Sequence, residues 1–371
     1  MFFNHQAKHP KKTKTKKQYL CSEFVFEMKK SRFPLAFALC ALLLLSACHR
    51  KEKVATPPMT PEQEVKVKNV EIDFLRYEQQ LFSLDPNHLS EGIEGLYGKV
   101  PSVLVAKDSW KDANMIKSLQ GYLSDPTIKE LYKETQKQYP NLDNLKKELT
   151  DAFRIYLTHF PEDSVPKIVT MISGMDFSIP SVWGYDNYLF INLDMYLGQN
   201  YKYYALSGMP KFISARCDKK YIASDCFTKV MAYKHLPDKT LVTALDNMLD
   251  EGKKLFLTQT MFPNKSPQDI IGYSADKYAW IEKNEGNVWQ YLMDKNMIYS
   301  KDEEVIRQLV GETPFTRVFG NDSPGRIGAY IGWKIIQNYM KQHPETSLQD
   351  IMLRTDSQKI LSESHYKPSF K

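Results

Sequence analysis

The sequence predicts an α+β protein, mostly helical, with a small mixed sheet in the first half of a single globular domain. Three observations carry that expectation. Apolar residues recur at i, i+3, i+4 over long stretches; short runs of β-branched and aromatic residues are confined to the part before residue 194; and from about residue 65 the chain shows no internal repeat, low-complexity stretch or long linker. In chain order, Val65 to Phe74 alternates and reads as a strand, and Leu75 to Phe82 leads into a short helix. Leu142, Leu145, Leu149, Ala152, Phe153, Tyr156 and Leu157 share one face of a helix over 141–159, with Pro140 before it and Pro161 after it. Lys167 to Ser173 and Tyr188 to Leu193 read as strands, punctuated by Pro166, Gly174 and Gly184. Asp238 to Thr260 reads as the longest helix, with Leu241, Leu245, Met248, Leu249, Gly252, Leu255 and Phe256 on one side; further helices are expected over 274–293, 302–310 and 325–341.

With 371 residues, 42% of them hydrophobic and 25% charged, the chain can bury a full core. Its formal charge of +6 is misleading, because nine Lys/Arg and two Glu lie in the first 47 residues, leaving 41 basic and 42 acidic residues afterwards. No basic surplus remains to displace counterions from phosphates, so nucleic acid is not an expected partner.

The first 47 residues read as an address. From Met28 the chain has a basic start (Lys29, Lys30, Arg32), an apolar stretch from Phe33 to Leu45 and then Leu45-Ser46-Ala47-Cys48. That is a secretory signal, too short for a comfortable membrane span and cut after small residues. The four-residue box is similar to that of bacterial lipoproteins, which implies that Cys48 is acylated and becomes the first mature residue. Met28 is the favoured start, since Met1 would give an oddly long basic leader. The expected organisation is therefore leader and signal over 1–47, a flexible Pro-containing tether over 48–64, and one globular domain over 65–371. Cys217 and Cys226 remain in the mature chain, either as a disulfide across a short loop or as two free thiols.

The search for chemistry gives little. His-Glu-x-x-His is absent, and no two of the six histidines after Cys48 stand at the i, i+4 spacing that aims two imidazoles at one ion. There is no Gly-x-Ser-x-Gly elbow, neither mature cysteine has a nearby His, and the glycines from Gly92 to Gly98 lack phosphate-loop spacing. Neither a catalytic residue, a metal ligand nor a cofactor is assigned. What stands out is polar residues set into apolar helices: Asp250-Glu251-Gly252, and Asn284-Glu285 between Trp280 and Trp289. They read as a solvated face or as a polar cleft at a helix junction, with Asp194, Glu251, Tyr273, Asn284, Glu285 and Arg326 as the cleft candidates. Gly325, Gly328 and Gly332 leave one helix face bare, which favours close approach of another helix over an anion site at the helix start.

An ordered set of motifs resembles the GldB family of gliding-motility lipoproteins of Bacteroidetes. The pieces are Arg76-Tyr77-Glu78 with Leu81-Phe82; Phe160-Pro161 with Pro166-Lys167-Ile168; Leu193 to Gly198; Met248 with Gly252-Lys253; Ile271 to Ser274; Trp280 with Asn284-Glu285 and Trp289; Pro314-Phe315-Thr316; Ser323 to Trp333 with Tyr339-Met340; and Ser364 with Tyr366-Lys367-Pro368. The resemblance implies an envelope lipoprotein, held to the membrane through Cys48, that supports gliding machinery and by association type IX secretion with protein partners. A more distant likeness is to zincin-type metallopeptidases, with Glu251-Gly252 in the place of a ligand-bearing Glu-Gly. The stretch Tyr221 to Tyr233, where those enzymes carry their zinc motif, holds neither His nor Glu, which implies a zincin-like shell without metal.

The expected function is that of a non-enzymatic, partner-binding envelope lipoprotein. The alternative is a peptide or peptidoglycan hydrolase in which Asp194, Glu251 and Glu285 converge. A ligand-binding module built on Trp280, Trp289 and Trp333 is a third reading. The mostly basic run His49-Arg50-Lys51-Glu52-Lys53 after the lipobox favours the periplasmic side of the membrane.

Overall fold

The computed structural model describes residues 54–370; Cys48 and the signal segment lie outside them. Helices of two turns or more are numbered here. Thr60 caps α1 (Pro61–Lys68) by accepting the amide of Gln63, whose side-chain oxygen in turn accepts the Thr60 amide, with Pro61 at the first helical position. This capping box overrides the alternation of Val65 and Val67, so the expected strand over 65–74 is replaced by a helix and an extended run. Pairing begins only at β1 (Phe74–Arg76). A short helical turn, Tyr77–Phe82, follows, and then α2 (Leu89–Leu96), α3 (Ala113–Ser124) and α4 (Pro126–Gln138). α5 (Asp143–His159) buries the predicted face, and leads to β2 (Lys167–Met171), β3 (Val182–Tyr185) and β4 (Tyr188–Asn192).

The strands form one mixed sheet in the order β1-β2-β4-β3. β1, β2 and β4 run parallel; β3 is antiparallel to β4 and forms an edge of the sheet. Because side chains alternate along a strand, the sheet is apolar on both faces. Val169 and Phe190 meet a smaller core with Tyr77, Leu89, Ile93 and Trp110. Ile168, Leu189 and Ile191 face the larger core made with α5 and the helices that follow.

The helical half comprises α6 (Ile222–Lys229), α7 (Ala244–Met261), α8 (Ala275–Asp294), α9 (Glu303–Val310), α10 (Ile327–Gln342) and α11 (Ser357–Ser364). α7 starts six residues later than its apolar pattern, because Thr243 and Asp246 form a capping box there; α8, at 20 residues, is the longest helix described. α10 starts at Ile327 instead of Gly325, since Arg326 takes a left-handed backbone (φ 53°) and ends the preceding loop.

α7 and α10 pack across a glycine seam. A Cβ built on Gly252 would stand 2.3 Å from the Gly332 carbonyl carbon, and one on Gly328 2.9 Å from Met248 and Leu309 atoms. The bare face expected from the glycine spacing serves this close approach.

Of the two readings for the cysteines the structure has the free thiols, and the expectation of a tether to residue 64 is corrected. Cys217 and Cys226 are buried free thiols, each with burial pushing its pKa up, Cys217 to about 11. The segment expected as a tether to residue 64 is structured from Val54: Val54 packs on the core, Ala55 bridges to Ser347, and α1 is tied to the loop after α5 by Gln63 donating to Glu162.

Candidate functional site

A cleft of about 900 Å³ opens between the β3 edge of the sheet and the helical half. Its apolar wall includes Trp183, Tyr185, Val230 and Val310, with Val182, Leu189 and Met231 buried in the core beneath the surface. Its charged wall is assembled from four places in the chain. α7 contributes Glu251 and Lys254, α6 contributes Lys229, the loop before α6 contributes Arg216, and the segment around α9 and α10 contributes Glu312 and Arg326.

These charges are wired to one another. Glu251 takes Arg326 Nη2 at 2.8 Å on one oxygen and Lys254 Nζ at 2.9 Å on the other. Lys254 also pairs with Asp250 at 2.8 Å and donates to the Tyr233 hydroxyl at 2.9 Å. On the adjoining wall Asp225, fully buried, receives Arg216 at 3.0 Å, Lys229 at 2.8 Å and the Tyr196 hydroxyl at 2.8 Å. Glu312 bridges the two halves, 3.3 Å from Arg326 and 3.7 Å from Arg216.

The electrostatics follow from this pairing. Burial pushes the Glu251 carboxyl up, but Arg326 and Lys254 outweigh it and hold the group below its usual range. Asp225 is likewise lowered, burial being outweighed by Lys229 and Arg216. Burial lowers Lys254, yet Glu251 and Asp250 raise it further, so it stays charged. Glu251, Asp225 and Lys254 are therefore held in their ionised forms by their partners. Among the described residues no group of three or more His, Cys, Asp or Glu is arranged to hold a metal ion.

Of the six candidates, the structure brings three together. Glu251 and Arg326 pair in the cleft, and the Tyr273 hydroxyl braces Arg326 from behind by donating to the carbonyls of Gly325 at 2.7 Å and Arg326 at 3.2 Å. The other three are elsewhere. Asp194 is buried under the turn after β2, accepting from Ser173 N at 3.0 Å, Ser173 Oγ at 2.8 Å and Met175 N at 2.9 Å; burial raises its pKa against these bonds. Its carboxylate holds a turn in which Gly174 and Met175 both have positive φ. Glu285 accepts the hydroxyls of Tyr330 at 3.0 Å and Tyr366 at 2.9 Å, pinning the C-terminal segment to α8 and α10. Asn284 donates to its own helix at the Trp280 carbonyl, 2.8 Å away. The expected convergence of Asp194, Glu251 and Glu285 is therefore corrected: they serve three separate structural tasks. The tryptophans are packing residues, Trp333 buried with its indole N–H on Gln259 and Trp289 against Tyr366.

Sequence reasoning missed Arg216, Asp225, Lys229, Lys254 and Glu312. Two of the pairs left a signal, since Asp225–Lys229 and Asp250–Lys254 stand at i, i+4 with the acid first, the favourable order on a helix.

Sheet, seam and cleft define an α+β domain in which a glycine-packed helix pair presents a network of ion pairs to a half-apolar cleft. The chain belongs to the family of the gliding motility protein GldB, whose family model matches residues 60–368. No curated protein and no solved structure matches it. Among the described residues no helix is long and apolar enough to cross a membrane.

Proposed function

We propose that this protein is a lipoprotein, anchored in the membrane through acylated Cys48 with its domain on the periplasmic side, and that it supports gliding motility, type IX secretion or both by binding a protein partner in the cleft without catalysing a reaction. The observation that supports binding over catalysis is the mutual pairing of the cleft charges. Glu251 is held ionised between Arg326 and Lys254, so it has neither a proton to give nor a free oxygen aimed at a substrate. The separation of Asp194 and Glu285 from Glu251 removes the arrangement that motivated a hydrolase. Membership of the gliding motility family and the lipobox at Cys48 support the cellular setting.

The test is cross-linking in intact cells with the wild-type lipoprotein and with Val230→Arg, which fills the apolar wall of the cleft. The wild type is expected to retain a defined partner that the variant loses, with colony spreading reduced in parallel. Equal retention and equal spreading would overturn the cleft as the binding surface, and peptide or peptidoglycan cleavage by the purified chain would overturn the non-enzymatic reading.

A further inference from the structure

We infer that Arg216 and Arg326 form a carboxylate seat in the cleft, which Glu312 fills in the free protein and which an acidic segment of a partner polypeptide takes over on binding. The inference rests on the partner-binding reading above and names the chemistry of that partner. Two guanidinium groups more than a hundred residues apart in sequence converge on one carboxylate. Each is first fixed by a carboxylate of its own, Arg216 by Asp225 at 3.0 Å and Arg326 by Glu251 at 2.8 Å. Those anchors are shielded, with side-chain exposures of 3% and 21%, whereas Glu312 is 51% exposed on the segment after α9 and its ion pairs are these two alone. The two arginines stay when Glu312 leaves; Glu312 is the replaceable member.

The surrounding backbone is shaped for this seat. Arg326 adopts a left-handed conformation that a long side chain rarely takes, and the Tyr273 hydroxyl holds its carbonyl there. A Cβ on Gly325 would stand 1.9 Å from the Thr313 carbonyl oxygen, and one on Gly272 would stand 2.7 Å from the Arg216 guanidinium. Arg216 thus lies over Gly272, whose φ of 81° also favours glycine, while Gly325, the neighbour of Arg326, packs on the Thr313 backbone. Glu312 stands 3.7 Å from Arg216 Nη1, beyond hydrogen-bond distance, so that nitrogen is paired with it by charge without a hydrogen bond.

Charge and shape select a carboxylate on a peptide. With Asp225 and Glu251 in place beside the seat, exchanging one monoanion for another conserves local charge, while a dianionic phosphate would add repulsion. Trp183, Tyr185 and Val230, which keep exposed surface in the cleft, give the rest of a peptide an apolar wall along β3 at the edge of the sheet.

The experiment titrates the detergent-solubilised full chain with fluorescein-labelled hexaglutamate, read by anisotropy, beside Glu312→Gln and Arg216→Gln. Saturable binding that weakens with salt is expected, tightening about threefold or more in Glu312→Gln, where the internal competitor is gone, and falling in Arg216→Gln. A melting temperature checks each fold, and Arg216→Lys, which keeps the charge without the fork, gives the loss independently should the glutamine variant unfold. Potassium phosphate is expected to compete no better than chloride at equal ionic strength. Equal or weaker binding by Glu312→Gln, undiminished binding by the folded Arg216 variants, or strong competition by phosphate would each overturn the inference. The partner reading fails separately if wild-type chain in cells cross-links to no partner although hexaglutamate behaves as expected. The seat fails alone if Glu312→Lys captures the same partner as wild type.

Discussion

Gly332 on α10 lies so close to Met248 on α7 that a Cβ added to the glycine would stand 1.8 Å from the Met248 carbonyl oxygen. The contact is helix backbone against helix backbone, which cannot give way as the end of a side chain can. It fixes where Glu251, three residues beyond Met248 on α7, meets Arg326 just before α10. The seam therefore sets the geometry of the cleft as well as the core.

Gly332→Ala is expected to lower unfolding stability by about 3 kcal/mol or more, because the backbones of α7 and α10 must separate to admit the methyl. Gly95→Ala supplies the control: Gly95 lies in α2 with nothing within 4 Å of the added methyl, so the change should be neutral or stabilise by up to about 1 kcal/mol. Urea unfolding of the two variants measures the contrast, and equal effects would sink the steric account.

Glu251 should reveal itself in acid. Its folded pKa is lowered, so it contributes stability that is present above its unfolded value, near 4.5, and is lost as pH falls through the folded value. Glu251→Gln leaves Arg326 and Lys254 short of a partner and should cost about 2 kcal/mol at neutral pH. The same variant should lose less stability than wild type below pH 4.5. A parallel acid limb in both proteins would contradict the ion-pair assignment.

Much of this architecture is legible in the sequence, and the places where it is not have physical causes. The apolar face of α5 states its period between Pro140 and Pro161, and the runs that become β2 and β4 are rich in β-branched and aromatic residues and punctuated by Pro166, Gly174 and Gly184. At Val65 two signals compete, and the capping box of Thr60 and Gln63 wins because Val65 itself stays exposed, so no buried face rewards a strand. The cleft is half legible. Glu251 and Arg326 stand out as charges beside glycine-marked packing, but Arg216 and Glu312 meet only through the tertiary fold and carry no local spacing. Asp194 and Glu285 attract notice for a sound reason, being carboxylates in apolar surroundings; their partners turn out to be a tight turn and two tyrosines.

Lys253 predicts an alkaline effect of opposite kind. It is buried, and desolvation followed by the repulsion of Lys239 lowers its pKa to about 8, although it donates to the Met352 and Arg354 carbonyls. Between pH 8 and 10.5 the unfolded chain holds the proton that the folded chain has released, so this group makes stability rise with pH across that window. Lys253→Met should remove that rise, seen as a flatter stability profile between pH 8 and 10.5. An unchanged slope would show that Lys253 is not the titrating group.

Cys48 completes the set. Ala55, next to the first described residue, pairs with Ser347, so at most about 25 Å of extended chain can separate Cys48 from that pairing. Cys48→Ser should abolish incorporation of a metabolic fatty-acid label and leave the melting temperature of the domain unchanged. The variant should also stay at precursor size, since signal removal in lipoproteins follows acylation. With so short a reach, a 20-residue Gly/Ser insertion after Lys53 should keep the label while moving the cleft away from any partner fixed at the membrane, lowering colony spreading. A label retained by Cys48→Ser would remove the anchor; full spreading with the insertion would show that the partner is not held at a fixed height above the bilayer.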